Sequence, residues 1–195
     1  MTRIRFGAPR AFGLVALVGL VVAALALAAP VEAQGRQYGA RLRLGIQGDI
    51  GYVRQTDSGL ILGLTGQLGV QQNDLFAVYY QPRLLAGTFL AGAREGAVLA
   101  GYNTLMFDFT LADIVQLGLG PSLDLGIVGV CRPNDCSGFG GAFFGADFKA
   151  AIALGARGPF GARSGFVIAL HVHPTWIAAH ESITTVTLGF GFQTY

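Results

Sequence analysis

The chain has 195 residues, 52% of them hydrophobic and only 12% charged, with 30 glycines. A soluble domain carries about 25% charged residues, so this composition does not suit an ordinary water-covered surface. The formal net charge of +2 belongs wholly to the first 33 residues. Beyond them ten basic and ten acidic side chains remain, no basic stripe survives, and nucleic acid is excluded as a partner.

Residues 1–33 read as a secretory signal peptide. Arg3, Arg5 and Arg10 form a basic start, an apolar run covers Ala11 to Ala29, and Val31-Glu32-Ala33 is a small-x-small cleavage signal. Residues 34–195 are left as one domain. No helical period appears there, whereas alternation of apolar and polar residues recurs. Ala40 to Arg54 is the first strand, with Leu42, Leu44, Ile46, Ile50 and Tyr52 on one face. Leu60 to Gln71 is the second, and QQND after it is a tight turn. Six further strands are predicted at 75–89, 98–109, 114–130, 142–156, 165–178 and 182–193, separated by turn-rich stretches such as AGAREG and RGPFGARSG. The connections are too short for crossover helices, so neighbours pair antiparallel. Eight such strands predict an all-β, up-and-down barrel. Pro82, Pro121 and Pro174 fall mid-strand on the apolar face of the third, fifth and seventh strands, with Gly48 at the matching place in the first. Mid-strand proline predicts bulges there.

Charge placement decides which face is inside. Arg41, Arg43, Asp49, Arg83, Asp108, Asp124, Asp147 and Lys149 all lie opposite the apolar face, four of each sign, on a surface rich in glycine. Small residues and balanced charges suit the crowded interior of an eight-stranded barrel, where buried charges must be paired. The other face is aliphatic with aromatics toward strand ends, including Tyr52, Phe109, Phe144, Trp176, Phe190 and Phe192. An apolar band with aromatic girdles faces lipid, and a closed barrel leaves no backbone group unpaired there.

With this pattern, the stretch GLGPSLDLGI and the ending VTLGFGFQTY, the chain resembles the small eight-stranded outer-membrane β-barrel proteins of Gram-negative bacteria, the OmpA-like transmembrane barrel type. The resemblance covers essentially residues 36–195. It implies location in the cell outer membrane, contact with its lipid, periplasmic termini, outer loops after strands one, three, five and seven, and recognition of the last strand by barrel assembly machinery. That signal involves a terminal aromatic; here Tyr195 is out of phase with Val186, Leu188, Phe190 and Phe192.

The remaining chemistry is sparse. Cys131 and Cys136, in CRPNDC, are expected to form a disulfide, because an exported chain meets oxidising conditions. His171 and His173 alternate and share the lumenal parity. Two imidazoles at i and i+2 could hold one metal, but a site needs further ligands and a second shell. The reading adopted is hydrogen bonding within the lumenal charge network, with no metal and no cofactor. His180 and Ser182 share the opposite parity near a rim. They faintly resemble the His-x-Ser arrangement of outer-membrane lipid A deacylases, without an oriented acid. The function expected is a non-enzymatic, monomeric structural or surface-interaction barrel with a side-chain-filled polar lumen. Alternatives are a narrow pore or conduit for small or lipophilic solutes, a membrane lipid hydrolase, and a soluble periplasmic barrel with its faces inverted.

Overall fold

The structure is a computed structural model that describes residues 39–54, 58–91, 94–132, 135–158, 162–178 and 181–195. The expected signal peptide lies outside the described residues. Eight strands follow in chain order: β1 (Arg41–Arg54), β2 (Ser58–Gln71), β3 (Phe76–Ala91), β4 (Arg94–Leu111), β5 (Val115–Arg132), β6 (Asp135–Arg157), β7 (Arg163–Ala178) and β8 (Glu181–Thr194). Each pairs antiparallel with its sequence neighbour, and β1 closes on β8 from Leu44↔Thr194 to Arg54↔Thr184. The result is a closed up-and-down barrel.

Local chemistry explains the turns at one end. Asn73 accepts the backbone N–H groups of Leu75 and Phe76 at 2.9 and 2.8 Å, which tightens the predicted QQND turn. The β4–β5 turn places Ala112 and Asp113 at φ 48° and 65°, a left-handed pair that matches the twist of a hairpin. Arg163 holds that turn from β7, donating to the Asp113 carbonyl at 3.1 Å and pairing with its carboxylate.

The strands at the other end run further than expected. β4 begins at Arg94 and β6 at Asp135, so most of AGAREG and the glycine-rich run after Cys136 are strand. The β5–β6 ladder continues unbroken to Arg132↔Asp135; backbone pairing overrides the local turn preference of its glycines. The expected bulges at the prolines do not occur. The ladders skip two residue pairs beside each proline: between Thr65↔Arg83 and Leu68↔Tyr80, between Thr104↔Ser122 and Phe107↔Leu119, and between Gly145↔Thr175 and Phe148↔Val172. Each gap lies toward the preceding strand and leaves the register unchanged. Proline removes a donor, and the ladder to the following strand, which runs unbroken past each proline, holds the chain in place without an inserted residue. The register shift that does occur is at Trp176/Ala178 in β7–β8.

The two faces separate completely. Ile46 is 63%, Leu64 60% and Phe144 74% exposed, whereas Arg43, Asp108 and His171 are 0% exposed. Leucines, isoleucines and aromatics cover the outside of all eight strands. An apolar surface of that extent is far beyond the few hundred Å² that a soluble monomer exposes. The barrel is therefore built to stand in a membrane, and the inverted, soluble arrangement is overturned by the exposure of this belt.

Candidate functional site: the barrel lumen

The inward side of the strands carries the polar chemistry. Glycine there lets neighbouring strands approach: a Cβ on Gly120 would lie 2.0 Å from the Leu105 carbonyl oxygen, and one on Gly191 2.0 Å from that of Ile46. Into this narrow bore project three successive groups of side chains.

The group nearer the β2–β3 and β4–β5 turns centres on Asp108 of β4. Its Oδ2 accepts from Arg43 Nη2 at 2.7 Å, Lys149 Nζ at 2.8 Å and the Tyr79 hydroxyl at 2.9 Å. Gln116 Oε1 accepts from both cations at 3.0 Å, and Gln71 Oε1 accepts from Arg43 Nη1 at 2.9 Å. The Arg43 guanidinium also stacks over Tyr79, 4.4 Å from the ring centre. One carboxylate thus holds two cations from opposite walls, β1 and β6. Charge-assisted bonds of this kind are the strong ones.

The middle group centres on Asp147 of β6. Arg83 donates to Asp147 Oδ2 at 3.2 Å, to Thr65 at 3.1 Å and to Thr187. Gln81 donates to the same Oδ2 at 2.8 Å. His171 Nδ1 lies 3.2 Å from Asp147 Oδ1. Thr65 in turn donates to Asp49, so Arg83 and Asp49 are linked through one hydroxyl.

The third group surrounds Asp124 of β5. His173 Nε2 lies 2.9 Å and the Thr175 hydroxyl 2.6 Å from Asp124 Oδ2, and Ser122 is 3.2 Å from the same His173 nitrogen. The His173 ring stacks flat on Tyr102, with centres 3.9 Å apart and planes within 3°. The Tyr102 hydroxyl reaches Thr185 at 2.8 Å. Gly145 backs this cluster; a Cβ there would lie 2.2 Å from Asp124 Oδ2.

Nine of the ten residues assigned to the lumenal network by parity, namely Arg43, Asp49, Arg83, Asp108, Asp124, Asp147, Lys149, His171 and His173, are buried within the barrel. Arg41 is the departure. It pairs with Asp74 of the β2–β3 turn at 2.6 Å, because the first residue of β1 lies at the rim. Arg157 reaches Asp74 and Asp113 at the same rim, at 3.6 and 3.7 Å. Tyr195 is lumenal, 3% exposed and packed with Ala151, Ala153, Val167 and Ala169; its hydroxyl donates to the Asp113 carbonyl at 3.1 Å. Phe192, 65% exposed, is the outward aromatic nearest the end of β8.

Alternation puts Thr65 and Gln71 on the polar face of the second strand, but the neutral members Tyr79, Gln81, Gln116, Tyr102 and Thr187 are not foreseen in the network, although all share the parity of the charges. Alternation also missed that the lumen is apolar beyond the polar groups, where Val53, Ile61, Leu85, Ala100 and Tyr102 cluster. Only parity marks these inward positions, because an apolar or neutral side chain carries no charge to set the lumenal face apart from the lipid face. Cys131 and Cys136 stand directly opposite in the β5–β6 register; their side chains, and therefore the expected disulfide, lie outside the described residues. So does His180. Ser182 is exposed.

Eight antiparallel strands, an apolar exterior and a charged, packed interior define an eight-stranded β-barrel of the outer-membrane type. Solved structures show the same fold. The chain is similar to neisserial surface protein A, with a TM-score of 0.54 and 12% identity over 80% of this chain and 97% of that one. It is equally similar to Ail, the attachment invasion locus protein of Yersinia pestis, with a TM-score of 0.54 and 13% identity over 80% of this chain and 98% of that one. No protein-family model matches the chain, and no curated protein matches it in sequence.

Proposed function

We propose that this protein is a monomeric, non-enzymatic barrel of the cell outer membrane with a structural or surface-interaction role and a lumen closed by its own side chains. The observation that carries this reading is the cross-lumen packing of Arg43, Asp108 and Lys149, all with side chains 0% exposed. Bonds from β1 and β6 to one β4 carboxylate lie across the bore, and Arg83 repeats the arrangement from β3 to β6 and β8. A passing solute would have to break charge-assisted bonds that have no replacement in an apolar membrane.

The hairpin ends favour a surface role. A membrane-crossing strand needs about 9–11 residues, whereas β5 has 18 and β6 has 23. Among the described residues the last large apolar side chain exposed on β5 is Ile127, and the hairpin ladder continues past it to Arg132 and Asp135. That glycine-rich hairpin is longer than a membrane crossing needs and is the part offered to an extracellular partner. Assembly machinery would read the outward face of β8, Leu188, Phe190 and Phe192.

Planar-bilayer recording of the refolded mature barrel tests the closed lumen. The expected result is a lipid bilayer without discrete conductance steps. Reproducible ohmic steps would replace this reading with the narrow-pore alternative.

A further inference from the structure

An open groove crosses the outer face of the barrel at its closing seam, with a volume of about 400 Å³. Strand register builds it. Ser164 of β7, Thr194 of β8 and Leu44 of β1 stand side by side in one outward row. Phe192 of β8 and Ile46 of β1 stand in the next. Between the rows lie Gly165, Gln193 and Gly45. The Gln193 side chain is buried and turns to the lumen, so the floor of the groove is backbone.

The two sides of the groove differ in chemistry. Leu44, Ile46 and Phe192 belong to the exposed apolar belt. Ser164 is the second residue of β7 and Thr194 the last of β8, so their hydroxyls stand at the edge of that belt. Ser164 Oγ lies 3.1 Å from Thr194 Oγ1. Whichever hydroxyl donates, their mutual bond uses one of the pair's two protons and leaves the other O–H as a donor. A donor facing hydrocarbon is costly unless it meets an acceptor. Among the described residues, no charged side chain lines the groove.

We infer that the groove is a binding site for a membrane glycerophospholipid. The first part of one acyl chain lies along Phe192 and Ile46, and its ester carbonyl accepts from the Ser164–Thr194 pair. The inference rests on the reading of this face as lipid-facing. A neutral donor suits a neutral carbonyl, and with no cation in the lining neither a phosphate nor a free carboxylate finds a counter-charge there. At the ~30 Å³ that a water takes up in the liquid, the groove has room for about a dozen heavy atoms. That fits an ester and its first methylenes and leaves the rest of the lipid outside. Depth agrees, because ester carbonyls sit where the hydrocarbon core gives way to the polar interface.

The test is methyl NMR of the folded barrel in dodecyl maltoside, titrated with dimyristoylphosphatidylcholine or with its diether analogue. The analogue keeps the chains and head group and lacks both carbonyls. The Ile46 methyl reports the groove, and that of Ile127, exposed on β5, reports general contact with lipid. The diester is expected to shift Ile46 saturably, with half-saturation at a concentration at least fivefold lower than the diether. Ile127 is expected to respond to both lipids alike. Ser164→Ala combined with Thr194→Val removes both hydroxyls, keeps the apolar wall, and is expected to abolish the diester's advantage. Should that variant not fold, the comparison of the two lipids on the unaltered chain still decides. Equal half-saturation at Ile46, no saturation there, or a diester advantage that survives in the double variant would each overturn the site. Silence of both Ile46 and Ile127 toward either lipid would instead overturn the lipid-facing exterior on which the site rests.

Discussion

Asp108→Asn is the sharpest perturbation of the lumenal packing. It keeps the shape of the side chain and one acceptor oxygen, and it removes the charge that holds Arg43 at 2.7 Å and Lys149 at 2.8 Å. At an effective dielectric near 20, each of those pairs is worth about 6 kcal/mol of gross Coulomb attraction. Most of that is offset by the desolvation of the three ions, and breaking a buried pair costs about 3–5 kcal/mol net. The variant also leaves two cations facing each other across Gln116. Lys149→Met is the control: it removes one cation and keeps the Arg43–Asp108 bond, so its cost should be smaller. Both can be measured by urea unfolding from phospholipid vesicles, with the difference in folded gel mobility as the readout. A loss below about 1 kcal/mol for Asp108→Asn, or a larger loss for Lys149→Met, would refute the view that this carboxylate neutralises the turn-end group.

Three further outcomes are expected. Leu64→Arg, in the middle of the apolar belt, should cost about 2–4 kcal/mol in the same assay, whereas Leu75→Arg at the rim should cost about 0–1 kcal/mol. Gly191→Val places a Cβ 2.0 Å from the Ile46 carbonyl oxygen and should abolish the heat-modifiable folded band by preventing β8 from closing on β1; an unchanged band would show that the seam relaxes freely. Cys131 and Cys136 stand opposite in the hairpin register, and we propose that they are oxidised: a thiol-specific alkylating reagent should add to the unfolded protein only after reduction, and labelling without reductant would contradict this.

Much of the barrel was legible in alternation, because a strand has a period of two and a one-residue slip would turn every charge toward lipid. Parity alone therefore placed His171, His173 and Asp147 inside. It did not place Arg41, since distance from a rim depends on register between strands. Nor did it give the partners: Arg43 and Asp108 are 65 residues apart, and only the closure of β1 through β4 and β8 brings them together. The prolines misled for a related reason. Alone, each signals a bulge, but a strand paired on both sides can lose one donor and keep its register. The glycines after Cys136 read as loop because their strand character comes from the β5 partner rather than from their own propensity.

The most direct test of the lipid-facing exterior uses the chain's single tryptophan. Trp176 stands on the outer face of β7, 50% exposed. Its fluorescence should be measured in vesicles whose acyl chains carry bromine, and separately with iodide in the aqueous phase. A barrel with the faces found here gives strong quenching by brominated chains and little by iodide. Quenching by iodide alone would mean that this face meets water, and the membrane barrel would have to be abandoned.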